Sequence, residues 1–307
     1  MGDTGFRRRT FLKWLAAAGG GVLGRNGWAV PGEAITRAIP KTGERLPVIG
    51  LGTWVTFDVT GDPDALAARR QVLQAFFDAG GALIDSSPMY GSAELVLGQL
   101  LKQVGNRSRL FAATKVWTPG KTLGIRQMER SREFWGVPRL DLMQIHNLLD
   151  WETHLDTLQT MKAEGRIRYI GITTSHGRRH EEMEQIMASK PIDFVQFSYN
   201  LADREAERRL LPLAAERKLA VIVNRPFQHG DLFRAVRGKP LPVWAGEIGC
   251  DNWAQFFLKF IVSHPAVTCA IPATSKAAHM KENMGAGYGR LPDAEMRKRM
   301  VKYFEGL

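Results

Sequence analysis

Cysteine is nearly absent from this chain: Cys250 and Cys269 are the only two in 307 residues. They lack the close paired spacing of a zinc site, which excludes a metal module built on thiolates. Cys269 sits inside the apolar run AVTCAIP and reads as a small buried hydrophobe, whereas Cys250 lies in a Gly-rich loop; one disulfide between them is the alternative. Long apolar runs are missing as well. The stretch FLKWLAAAGGGVLG near the N-terminus is too short and too rich in glycine for a stable transmembrane helix. No Lys/Arg-rich run is interleaved with aromatics in the body of the chain, so no nucleic-acid partner is expected. No linker or low-complexity tract breaks residues 38–307, which therefore read as one domain.

The chain does hold the makings of a large core. It is 44% hydrophobic and 24% charged, the balance of a folded globular protein. The net charge is +11; residues 1–40 hold six Lys/Arg against Asp3 and Glu33, so +4 belongs there and +7 to the remainder. Spread thinly, that excess suits a solvated surface, with a phosphorylated ligand or an anionic surface as the functional alternative.

Much of the N-terminal charge has a pattern. RRRTFLKWLAAAGGGVLG runs from a basic head into a short, mildly apolar middle, and the pattern ends at RNGW. Arg8-Arg9-Thr10-Phe11-Leu12-Lys13 resembles the twin-arginine export motif, with Arg7 where a Ser or Thr usually stands. Residues 1–34 are accordingly expected to be a twin-arginine-type signal segment, cleaved near WAVPGEA or kept as an anchor; a frayed amphipathic helix is the plain alternative. That resemblance implies the twin-arginine machinery as a partner and a periplasmic destination. Gly19, Gly21 and Gly24 also spell G-x-G-x-x-G, but no strand precedes them, so they are not a dinucleotide fingerprint.

From residue 38 onward, apolar strand-like runs alternate with helical stretches. A short hairpin turning at Lys41 to Glu44 leads into a first strand ending near Gly52. The strands ALID, RLFAATK, LDLMQIH, IRYIGIT, DFVQFSY, LAVIVN and VTCAIP follow, each trailed by a helical segment. Strands that are apolar throughout suit a parallel sheet covered on both faces. Eight such units predict an α/β fold, a (β/α)8 TIM barrel; a doubly wound open sheet is the runner-up.

Function in such a barrel sits where strands end and loops begin. Those positions hold Asp85 after the second strand, Lys115 at the third and His146 at the fourth, with Tyr90 on the loop following Asp85. A phenol is a weak acid at neutral pH, and a neighbouring ammonium is expected to lower its pKa. Asp85 would hold that ammonium in place, His146 would orient a carbonyl oxygen, and Tyr90 would protonate it. In these roles none of the four is placed to attack carbon, and a nicotinamide hydride would fill that gap. Taken singly, Asp85 reads equally well as a helix cap, Lys115 as an ion-pair partner or a Schiff-base amine, and His146 as a plain hydrogen-bonding histidine.

The order of these residues resembles the aldo-keto reductase family from about residue 38 to the C-terminal end. The resemblance rests on GLGTW at 50–54, IDSSPMYGSAELVLG at 84–98, TKVW at 114–117, QIHN at 144–147, IRYIGIT at 167–173, VQFSYN at 195–200 and IPATSKAAHMKEN at 271–283. It implies a catalytic tetrad of Asp85, Tyr90, Lys115 and His146. For the nicotinamide carboxamide it implies Thr173, Thr174 and Gln196, and under the ring Arg225, where many relatives have an aromatic. The backbone of residues 227–232, with Phe227, Gly230 and Leu232, would cradle the pyrophosphate. Thr274, Ser275, Lys276, His279 and Asn283 would take the adenosine end. Trp54, Trp117 and Asn147 match positions in the substrate pocket wall, to which Trp151 is a further candidate. The implied reaction is NAD(P)H-dependent reduction of a small aldehyde or ketone, with NADPH favoured over NADH; an exported nicotinamide-binding regulatory module is the alternative. His176 and His180 stand four apart, but a surface helix explains them without a metal, and no metal site is expected.

Overall fold

A computed structural model of the chain describes residues 32–307. The twin-arginine motif and Gly19, Gly21 and Gly24 lie outside the described residues. Two short antiparallel strands come first, β1 (Thr36–Ala38) and β2 (Arg45–Pro47). Eight parallel strands follow: β3 (Leu51–Gly52), β4 (Leu83–Asp85), β5 (Phe111–Val116), β6 (Leu140–Ile145), β7 (Ile167–Thr173), β8 (Phe194–Ser198), β9 (Ala220–Asn224) and β10 (Cys269–Ala270). Each pairs with the next in sequence. Between and after them run α1 (Pro63–Asp78), α2 (Ala93–Leu101), α3 (Lys121–Trp135), α4 (Trp151–Ala163), α5 (His180–Ser189), α6 (Leu210–Glu216), α7 (Asp231–Ala235), α8 (Trp253–Val262), α9 (Ala277–Gly285) and α10 (Ala294–Glu305).

The cylinder closes between its first and last strands. Gly50 N–H donates to Ala270 O at 2.8 Å, Ala270 N–H to Val48 O at 2.9 Å, and Gly52 N–H to Pro272 O at 3.0 Å. Close approach is possible because Gly52 has no side chain: a Cβ there would stand 2.7 Å from the Ile271 carbonyl oxygen. These bonds make the eight strands a (β/α)8 barrel.

Side chains alternate across the pleat, so every second residue of a strand points into the barrel. Near the start of the strands the inward positions are apolar: Leu83, Phe111, Leu142, Tyr169, Phe194 and Ala220 belong to one buried cluster. Toward the strand ends the same column turns polar, with Asp85, Lys115, Gln144, Thr173, Gln196 and Asn224. The outward positions pack against the helices in a second, larger apolar layer. β1 and β2 floor the barrel at its apolar end. Ile39 and Leu46 join the inner cluster, Tyr169 donates its hydroxyl to Glu44 at 2.6 Å, and Lys41 reaches the Ile192 carbonyl oxygen. Only the polar end of the cylinder remains open.

Both cysteines are buried and free. Burial pushes the Cys250 thiol up to about 12. Among the described residues no helix is long and apolar enough to cross a membrane.

Candidate active site

At the open end, Lys115 from β5 reaches across to β4. Its ammonium donates to Asp85 Oδ2 at 2.5 Å and to the Ser86 carbonyl oxygen at 2.7 Å, and both charged side chains are almost fully buried. The other carboxylate oxygen, Asp85 Oδ1, accepts from Gln144 Nε2 and Gln196 Nε2, each at 2.9 Å. Tyr90 lies above this pair, its ring centre 4.9 Å from Lys115 Nζ. His146 meets the Tyr90 ring edge-on at 5.8 Å and shares a hydrogen bond of 2.9 Å between its Nδ1 and Ser87 Oγ. The loop bearing Tyr90 is itself clamped: Ser92 donates its backbone N–H and its hydroxyl to Asp58 Oδ1, at 2.9 and 2.7 Å.

Burial and Coulomb attraction compete over these groups. Burial alone disfavours the Lys115 ammonium, but Asp85 and Tyr90 outweigh it and hold the lysine above its ordinary value. For Tyr90 the expectation from sequence has to be corrected. Burial raises the phenol, Lys115 pulls it back down, and the net shift is upward. Burial and the nearby Lys115 charge push His146 down to about 3, so its imidazole is neutral at physiological pH.

Asp85, Tyr90 and His146 open onto a cavity of about 430 Å³. Of the residues predicted for cofactor and substrate, Trp54, Asn147, Thr173, Thr174, Gln196, Arg225, Phe227 and Gly230 line it. Thr173 Oγ1 accepts the Asn147 N–H at 3.3 Å, and the Arg225 guanidinium donates through Nε to His229 Nε2 at 2.9 Å. Leu232 does not line the cavity: its side chain packs into the outer core and its N–H is directed to the Phe227 carbonyl oxygen at 3.4 Å. Trp117 also stands outside the cavity; its ring is exposed, and its backbone N–H donates to Gln127 Oε1 at 2.6 Å. Trp151, half-buried, donates through its indole to Glu182.

Thr274, Ser275 and Lys276 form the turn between β10 and α9, beyond the cavity. Thr274 Oγ1 accepts the Lys276 N–H at 3.2 Å, and the Ser275 carbonyl oxygen accepts from Arg69 at 2.9 Å. His279 and Asn283 follow on α9, Asn283 buried. Residues 176–179 are a turn, not the expected helical surface, with His176 at φ 62° and Arg179 at φ 53°. His176 thereby faces the cavity, stacked 5.7 Å from His229, and α5 begins only at His180. Among the described residues no group of three or more His, Cys, Asp or Glu is placed to hold a metal ion.

Several participants went unnoticed in the sequence. Asn224 bonds the Thr174 carbonyl oxygen at 2.9 Å and accepts from Ser198 Oγ at 2.8 Å. Its inward register on LAVIVN was a usable signal, as was that of Gln144 two residues before His146. Ser87, His229, Met89 and Phe233 had none, because loop geometry alone brings them to the site.

A family model described as the Aldo/keto reductase family matches residues 48–300. The chain belongs to the aldo/keto reductase family. It is therefore an oxidoreductase. Among curated members of this family, it is 28% identical over 260 residues to methylglyoxal reductase YeaE of Escherichia coli, covering 82% of this chain and 89% of that one. It is 27% identical over 217 residues to the NADH-specific methylglyoxal reductase of the same organism, covering 59% and 64%. Among solved structures, an aldo/keto reductase from Klebsiella pneumoniae in complex with NADP and acetate superposes with a TM-score of 0.68 at 26% identity, over 85% of this chain and 93% of that one.

Proposed function

We propose that this enzyme reduces an aldehyde or ketone to an alcohol using NADPH, with Tyr90 as the general acid. The observation that carries this reading is the buried Lys115–Asp85 pair directly beneath the Tyr90 ring, with neutral His146 on the same cavity. A nicotinamide is compatible with the groups present: the Thr173 hydroxyl and the side-chain amides of Gln196 and Asn224 line the cavity, as a carboxamide requires, whereas Thr174 turns its hydroxyl away to Met183 Sδ at 3.6 Å. When bound, that cofactor supplies the hydride.

The chain's own residues handle the oxygen. Neutral His146, held through Nδ1 by Ser87, orients the substrate carbonyl. Tyr90 keeps its proton in the resting enzyme, because burial holds its pKa up. As the carbonyl oxygen gains negative charge it becomes the stronger base and takes that proton. Lys115 then neutralises the phenolate, and Asp85 keeps Lys115 charged. Arg225 would lie under the nicotinamide ring and Phe227 and Gly230 along the diphosphate, with Thr274, Ser275, Lys276, His279 and Asn283 at the far end of the cofactor.

The relatives support both nicotinamide forms, since one solved structure holds NADP and one curated reductase is NADH-specific. Methylglyoxal, named for two of them, is the first substrate to try. Tyr90→Phe is expected to lower turnover by at least about 10²-fold while leaving cofactor affinity within roughly twofold; retained turnover would place the acid elsewhere. In a fluorescence titration NADPH is expected to bind more tightly than NADH, and equal or tighter NADH binding would reverse the assignment.

The twin-arginine pattern supports a further reading, in which residues 1–34 direct the folded barrel of residues 38–307 to the periplasm. Fractionation of cells expressing the full chain, with and without Arg8→Lys/Arg9→Lys, tests it; the variant is expected to stay in the cytoplasm.

A further inference from the structure

We propose that Gln144 is a positioning residue for this reaction, acting on Tyr90 only through Asp85 and Lys115. The inference rests on the carbonyl-reductase reading above. Gln144 is fully buried and is not part of the cavity wall, so it touches neither substrate nor cofactor. Both ends of its amide are nonetheless engaged. Nε2 donates to Asp85 Oδ1 at 2.9 Å, and Oε1 accepts from Gln196 Nε2 at 3.2 Å. That second bond fixes which end of the amide faces the carboxylate.

The strand register builds this arrangement. Lys115 pairs with Gln144 across β5 and β6, and Gln144 pairs with Gly171 across β6 and β7. A Cβ at Gly171 would lie 2.9 Å from Gln144 Cγ, so the glycine leaves the glutamine its room. Asp85 is thus divided: Oδ1 is held by two amides and Oδ2 is left for the ammonium. Without Gln144 the carboxylate keeps a single amide anchor and is free to rotate about its own axis, which weakens its hold on Lys115. A buried charge-assisted bond of this kind is both strong and directional.

The ionisable groups facing this unit are Asp85 on β4, Tyr90 on the following loop, Lys115 on β5, His146 after β6, Glu94 on α2 and Cys269 on β10. In Gln144→Met, Lys115 is expected to lose its proton at lower pH. The alkaline limb of kcat should then move down by about one unit, and kcat at neutral pH should fall roughly tenfold. In Gln144→Glu the introduced carboxyl, beside a carboxylate, is expected to stay protonated well above the usual range and to donate to Asp85 in place of the amide. Activity near that of the wild type is therefore expected at low pH. As the new group ionises and repels Asp85, a descending limb absent from the wild type should appear.

The experiment is the pH profile of kcat for wild type, Q144M and Q144E with methylglyoxal and NADPH, alongside cofactor affinity and melting temperature. The two limbs described, with affinity unchanged, are the supporting result. Wild-type profiles in both variants would overturn the positioning role alone, as would a loss at every pH that tracks a fall in melting temperature. A wild-type enzyme with no turnover, or Y90F with full turnover, would overturn the reading on which the proposal stands, and the proposal with it.

Discussion

Burial sets the charge state of each ionisable side chain around the cavity, and the outcome depends on what stands beside it. His146, beside a cation, is driven to about 3, whereas Lys115, beside a carboxylate, keeps its proton. His146 therefore contributes to stability in one direction. Between about pH 3 and the ordinary value near 6.5 the unfolded chain binds a proton that the folded chain refuses, so stability is lost as pH falls through that window. Chemical denaturation is expected to show that slope reduced by up to about 1.4 kcal/mol per pH unit in His146→Gln. The wild-type kcat profile is likewise expected to lack an inflection near 6.5. The gathering of Asp85, Tyr90, Lys115 and His146 at one end was legible in the sequence, because three of them fall at the ends of countable strands and Tyr90 on the loop that follows one. The upward shift of Tyr90 was not, since how far a phenol is buried depends on the loop that carries it.

The strands were legible as apolar runs, and the helical segments expected between them are present. AVTCAIP is an exception: only Cys269–Ala270 form regular strand, because the chain there turns from pairing β9 to closing against residues 48–52. The turn at 176–179 was missed since nothing local marks a histidine for a left-handed backbone. One glycine inside a helix proved informative. Gly98 in α2 faces α3 so closely that a Cβ there would overlap the Phe134 carbonyl oxygen, at 1.6 Å. In an isolated helix Gly→Ala is favourable by about 1 kcal/mol. Here Gly98→Ala is expected to cost about 3 kcal/mol instead, by prising the two helices apart, and a urea midpoint measurement would show it.

Across the whole molecule, the division of the barrel interior into an apolar floor and a polar mouth is what concentrates the chemistry at one end. The eight-unit count was legible, but the closing bonds were not, because they join backbone atoms more than two hundred residues apart. We expect the barrel to fold without residues 1–34. Among the described residues Ile35 is the first whose backbone is bonded in the barrel, donating to Gly287 O at 2.8 Å and accepting from Val48 at 3.0 Å. A chain starting at residue 35 is therefore expected to melt within about 2 °C of the full chain and to bind NADPH equally well, as calorimetry would report.

The floor made by β1 and β2 has a consequence for access. Among the described residues the polypeptide enters the barrel at this sealed end, opposite the polar opening. With that end plugged by side chains, a ligand has a single face of the cylinder by which to come and go, and no channel runs through its axis among the described residues.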